Sequence, residues 1–131
     1  MQSKSKAIIV DANIVLRFLL NDHPQLSQKA KAIITKSTIF IDETVIAEVI
    51  WVLESFYELK KTDIVKNMSI FISFKHIESE NKERIMQALN YYSLYNISYI
   101  DAWLLALRKD KKTTLATFDK TLQTLAQKKK I

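Results

Sequence analysis

Four carboxylates stand where a chain without an obvious protein nucleophile could still hydrolyse a substrate. Asp11 directly follows the apolar run Ala7-Ile8-Ile9-Val10, and Glu48 lies inside Val45-Ile46-Ala47-Glu48-Val49-Ile50-Trp51-Val52-Leu53. Asp101 opens Tyr99-Ile100-Asp101-Ala102-Trp103-Leu104-Leu105, and Asp119 closes Leu115-Ala116-Thr117-Phe118-Asp119. Glu48 has Val45, Trp51 and Val52 as helical neighbours, so its carboxylate is expected to be partly desolvated. Burial of that kind requires a cation, a hydrogen-bond network or protonation. Each acid also has an ordinary structural role open to it. Glu48 could form a salt bridge, Asp101 could complement a helix dipole, and Asp11 and Asp119 could cap helix N-termini. Gathered within a few ångströms of one another, the four would repel strongly unless divalent cations neutralised them. Oxygen ligands without histidine or cysteine point to Mg2+ or Mn2+. Such ions position a water, lower its pKa and stabilise charge on a scissile phosphate, so the matching reaction is phosphodiester hydrolysis.

The elements that must position these acids are legible as short apolar runs alternating with segments of helical period. Ala7–Val10, Thr38–Ile41, Lys75–Ile77 and Thr114–Phe118 read as strands. Helices are expected over Asn13–Leu20, Pro24–Lys36, Thr44–Leu59, Thr62–Phe74, Glu80–Tyr95, Tyr99–Asp110 and Asp119–Gln127. Pro24 suits a first helical turn, and Asn21 and Asn96 stand in for glycine at helix ends. The alternation implies a parallel sheet covered on both faces, and right-handed crossovers bring acids at strand ends and first turns to one edge. With strand order 3-2-1-4, Asp11 and Asp119 would flank the crevice where the winding reverses.

Composition narrows the rest. The 131 residues are 48% hydrophobic and 26% charged, as in an ordinary folded protein, and one compact domain over residues 1–131 is expected. There is no glycine, which removes glycine-rich phosphate loops, the dinucleotide fingerprint and the G-x-S-x-G elbow. There is no cysteine, hence no disulfide or thiolate chemistry, and a reducing cytoplasmic setting fits best. No apolar run approaches the roughly 18 residues of a membrane span, and the start at Met1 to Lys6 does not read as a signal peptide. The formal charge is +6. With the four acids set aside the remaining surface carries about +10, suited to a polynucleotide.

Four segments carry a resemblance: Ile8-Ile9-Val10-Asp11-Ala12-Asn13-Ile14-Val15-Leu16-Arg17, Ala47-Glu48-Val49-Ile50-Trp51-Val52-Leu53, Tyr99-Ile100-Asp101-Ala102-Trp103-Leu104-Leu105-Ala106 and Leu115-Ala116-Thr117-Phe118-Asp119-Lys120. In order, spacing and chain length the sequence resembles PIN-domain ribonucleases, in particular VapC-type toxins of type II toxin–antitoxin pairs. The resemblance implies a Rossmann-like α/β/α sandwich with a mostly parallel sheet of four to five strands. It also implies an endoribonuclease dependent on Mg2+ or Mn2+, with Asp11, Glu48, Asp101 and Asp119 as catalytic metal ligands and Asn13 and Thr117 in support. A homodimer is implied, inhibited by a small antitoxin whose segment lies in a groove near the active site. Two departures are the missing family glycines and a chain that stops at Lys128-Lys129-Lys130-Ile131, where a fifth strand is often found.

Two rival readings stand beside this one. The first is a PIN-like binding or scaffold domain without nuclease activity. The second is a phosphoacceptor receiver domain, which usually needs an acidic pair after the first strand where Val10-Asp11-Ala12 offers one acid. Tyr91, Tyr92, Tyr95 and Tyr99 are expected to pack rather than stack on bases. Arg17 is a candidate for holding the RNA backbone, and Phe18-Leu19-Leu20 could line an antitoxin groove or form a buried helix face. His23 and His76 read as surface or packing residues, and Lys128–Lys130 as a solvated tail.

Overall fold

Three short parallel strands organise the chain. The computed structural model describes residues 6–128. β1 (Ile8–Ile9) leads through α1 (Ala12–Leu20) and α2 (Pro24–Lys36) to β2 (Ile39–Phe40), and α3 (Glu43–Ser55) and α4 (Lys61–Ser73) lead to β3 (Ile77–Glu78). The chain then continues through α5 (Lys82–Leu94), α6 (Tyr99–Lys111) and α7 (Lys120–Gln127). The sheet order is β1-β2-β3, all parallel, with Ile8 opposite Ile39, Ile9 opposite Phe40, Ile39 opposite Ile77 and Phe40 opposite Glu78. Helices around this sheet give a Rossmann-like α/β/α arrangement.

The helices begin where short polar side chains satisfy their free N–H groups. The Asp11 carboxylate accepts from Ile14 N–H, Asp42 from Thr44, Asn81 from Arg84, Ser98 from Asp101 and Asp119 from Leu122. Pro24 occupies the start of α2, whose cap is His23, with Nδ1 accepting from Leu26 N–H at 3.1 Å. Asn21 ends α1 in the left-handed conformation (φ 49°), as expected of a glycine substitute. Asn96 does not: the other left-handed residues are Glu58 and Lys112. One hydrophobic cluster runs through the sheet and helices, with Ile39, Ile41, Ile46, Ile77, Leu105 and Tyr92 among its fully buried members. α1 packs on α2 and α3, while α5 lies between α4 and α6.

The expected four- to five-stranded sheet is corrected to three strands among the described residues. Thr114–Phe118 forms no strand, because its backbone makes no ladder hydrogen bond to another strand among the described residues. β1 is therefore an edge, with Ile8 44% and Ile9 76% exposed. Any fifth strand at Lys129–Ile131 lies outside the described residues, as does most of the Lys128–Lys130 run. β3 starts two residues later than its pattern suggests, since Ile77 N–H closes a turn onto the Phe74 carbonyl at 3.0 Å. α3 ends at Ser55, before Leu59, where Glu58 turns the chain with φ 53°.

Candidate active site

Asp11 caps α1 at the end of β1, donating nothing and accepting the Ile14 N–H at Oδ1 (3.1 Å). It is exposed on an open groove of about 500 Å³ whose other walls include Ile8, Ile9, Ile14, Ile33 and Val45. Val45 and Glu48 are three residues apart on α3 and share a side of that helix. Glu48 is exposed, which corrects the expected desolvation: Thr44 is exposed too, and its helical neighbour Trp51 is itself 66% exposed.

Asp101 is half-buried in the first turn of α6, its N–H donating to Ser98 Oγ at 3.1 Å. A small apolar hollow lined by Thr44, Ala47, Ile100 and Trp103 joins the starts of α3 and α6. Glu48 and Asp101 are sequence neighbours of Ala47 and Ile100 at this seam. Asp119 stands at the start of the last described helix. It caps α7, accepting from Leu122 N–H at 2.8 Å, and follows a separate hollow lined by Leu115, Ala116, Thr117, Phe118, Gln123 and Gln127. Thr114–Phe118 is not a strand hydrogen-bonded to β1, so the expected order 3-2-1-4 reduces to three strands among the described residues.

Asn13 is exposed in the first turn of α1. Thr117 is half-buried, and its Oγ1 accepts the Asp119 N–H at 3.1 Å while its carbonyl accepts from Gln123 Nε2 at 2.6 Å. Thr117 thus orients the turn that presents Asp119. Arg17, the candidate for holding RNA, is occupied by the protein instead. Nη1 donates to Asp22 Oδ1 and Nη2 to the Tyr57 hydroxyl, each at 2.8 Å, tying α1 to the turn after α3. Tyr91, Tyr92 and Tyr99 are buried, with the Tyr92 and Tyr99 rings edge to face at 6.0 Å, so this cluster packs as expected. Phe18, Leu19 and Leu20 lie against the core, and Phe18 meets Phe71.

One network gives no local sign in the sequence. Arg84 on α5 donates from Nε to Glu43 Oε1 (2.9 Å), from Nη2 to Glu43 Oε2 (2.6 Å) and from Nη1 to Asp110 Oδ2 (2.7 Å). Trp103 Nε1 completes it with a 3.0 Å bond to Glu43 Oε1. Burial works to raise the Glu43 pKa, but the bonds from Arg84 and Trp103 and the guanidinium charge outweigh it and hold the carboxyl below its usual range. Glu43 looks like a first-turn helix acid, and its partners lie 41 and 60 residues away. The network locks α3, α5 and α6 together beside Glu48 and Asp101.

The donor chemistry suits a hard dication, since Asp11, Glu48, Asp101 and Asp119 offer only carboxylate oxygens. Among the described residues no three Asp, Glu or His side chains form a group that could hold a metal ion as they stand. The PIN domain family matches residues 8–128, a span that contains all four acids. No curated protein matches the chain.

Proposed function

The chain belongs to the PIN domain family, whose members are generally nucleases that typically use divalent metals, and from that premise we propose that it is an endoribonuclease dependent on Mg2+ or Mn2+. In this reading Asp11, Glu48, Asp101 and Asp119 are the metal ligands, Asn13 and Thr117 support them, and RNA is the substrate. The observation that carries it is the family match across residues 8–128, a span that contains all four acids. The formal charge of +6 supports a polyanionic substrate. We place the protein in the cytoplasm as the toxin of a toxin–antitoxin pair, a homodimer restrained by a small antitoxin protein. Among the described residues no helix is long and apolar enough to cross a membrane.

A PIN-like scaffold without nuclease activity has one observation in its favour, the absence of a three-acid group within the described chain. Incubation of the purified protein with total RNA in Mg2+ or Mn2+, with and without EDTA, separates the two. Cleavage that EDTA stops supports the nuclease; intact RNA under every condition, together with no Mn2+ binding by calorimetry, supports the scaffold.

A further inference from the structure

Lys61 is the first residue of α4, where a cation faces the positive end of the helix dipole. Lys60, which precedes the helix, makes no side-chain capping bond, and the acid of the first turn is Asp63. Lys61 is half-buried and forms no ion pair among the described residues. An ammonium placed in this way needs other acceptors for its three N–H groups.

It finds them at the junction of α5 and α6. Nζ donates to the Tyr95 carbonyl at 3.1 Å and to the Ile97 carbonyl at 3.4 Å, and it lies 4.3 Å from the centre of the Tyr92 ring. Tyr95 closes the C-terminus of α5, where carbonyls without helical partners form the negative end of that helix. The Tyr95 carbonyl also accepts the Ile97 N–H at 2.9 Å, so the tight turn through Asn96 is closed by the backbone and clasped by the lysine.

That turn delivers the chain to α6. Ser98 follows Ile97 directly; its Oγ accepts the Asp101 N–H, and its carbonyl accepts the Ala102 N–H at 3.0 Å. Tyr92 gives a second route, since it is fully buried and its ring meets that of Tyr99, the first residue of α6. We infer that Lys61 is a positioning residue for Asp101: its hold on the turn and on Tyr92 sets where the first turn of α6 presents that carboxylate, whose part as a metal ligand rests on the nuclease reading above. Groups that orient a ligand without touching the metal contribute about 10–100-fold to metal affinity.

The test compares wild-type protein with Lys61→Met, Lys61→Cys and Ile64→Val. Lys61→Met keeps an apolar stem and removes the ammonium. The chain has no native cysteine, so 2-bromoethylamine alkylates the thiol of Lys61→Cys alone and rebuilds an ammonium at the reach of Nζ. Ile64→Val trims a fully buried side chain of the same helix and leaves the clasp intact, which controls for lost stability. In Lys61→Met, amide hydrogen exchange should lose about tenfold of its protection at Asp101 and Ala102, with Leu105 changing no more than in Ile64→Val. The Mn2+ dissociation constant, measured by calorimetry, should rise about tenfold. Ile64→Val should keep the wild-type affinity, and aminoethylation of Lys61→Cys should restore both quantities. Unchanged or uniformly lowered protection along α6, unchanged affinity against a wild type that binds Mn2+, or no recovery on aminoethylation would overturn the role of Lys61. Wild-type protein that binds no Mn2+ and cuts no RNA contradicts the nuclease reading, and exchange at Asp101 still decides whether Lys61 positions it.

Discussion

Arg84 grips Glu43 with two parallel hydrogen bonds across the α5–α3 junction, and both side chains are nearly buried, 12% and 13% exposed. A planar guanidinium matches a carboxylate in this geometry as lysine cannot. The pair sits five residues before Glu48 on α3, and Trp103, which shares Glu43, sits two residues after Asp101 on α6. It therefore fixes the seam on which two of the candidate ligands stand.

Removal of one partner leaves the other charge buried. Arg84→Met should destabilise the fold by about 3 kcal/mol in urea denaturation, whereas Arg84→Met combined with Glu43→Leu should cost clearly less than the sum of the single changes. Additive losses would mean that the pair is not coupled.

Acid should expose the same pair. The Glu43 pKa is held below its ordinary value of 4.5, so its contribution to stability is complete above that pH and is lost as pH falls through the folded value. Wild-type stability should drop below pH 4.5 more steeply than that of Glu43→Gln. Equal slopes would show that Glu43 does not drive the acid transition.

Alkaline pH acts through tyrosine. Burial, aided by the Glu54 carboxylate at Tyr92 and by Glu43's charge at Tyr99, raises both phenols well above the ordinary 10.0. Their contribution is complete below that pH and is lost as pH rises through the folded values. Ultraviolet titration of the five tyrosines should show some ionising only as the protein unfolds, and fewer of these in Tyr99→Phe. Normal titration of all five in the folded protein would refute this.

Glu58 carries φ 53° in the turn between α3 and α4, a conformation that costs a residue with a Cβ free energy that glycine avoids. Glu58→Gly should stabilise the protein by about 0.5–1 kcal/mol in the same denaturation experiment. A loss of stability would mean that the Glu58 side chain makes a compensating contribution.

Local signals carried much of the fold. Pro24–Lys36 is helical from end to end as its pattern suggests, because the proline start and amphipathic period act within the helix itself. The first three strands likewise fall within a residue or two of their apolar runs. Thr114–Phe118 has an equally good strand pattern, yet a strand exists only when its backbone finds a partner, and the composition of the segment does not specify where that partner lies. Glu48 is exposed for a related reason: valines and a tryptophan around it imply burial only if that helix face is covered, and Trp51 is largely open to solvent. Asp11 and Asp119 do perform the capping roles open to them, each through Oδ1. The Arg84–Glu43 link was invisible because 41 residues separate its ends.

The most direct measurement is the rate of RNA cleavage in Mn2+ by wild-type protein against Asp11→Asn and Asp101→Asn, with circular dichroism to verify the fold of each. Asparagine keeps the shape of aspartate but loses the anion a dication needs. Wild-type protein should cleave and both folded variants should fall to the level of a protein-free control; cleavage at the wild-type rate by either variant would contradict metal-dependent hydrolysis at these carboxylates.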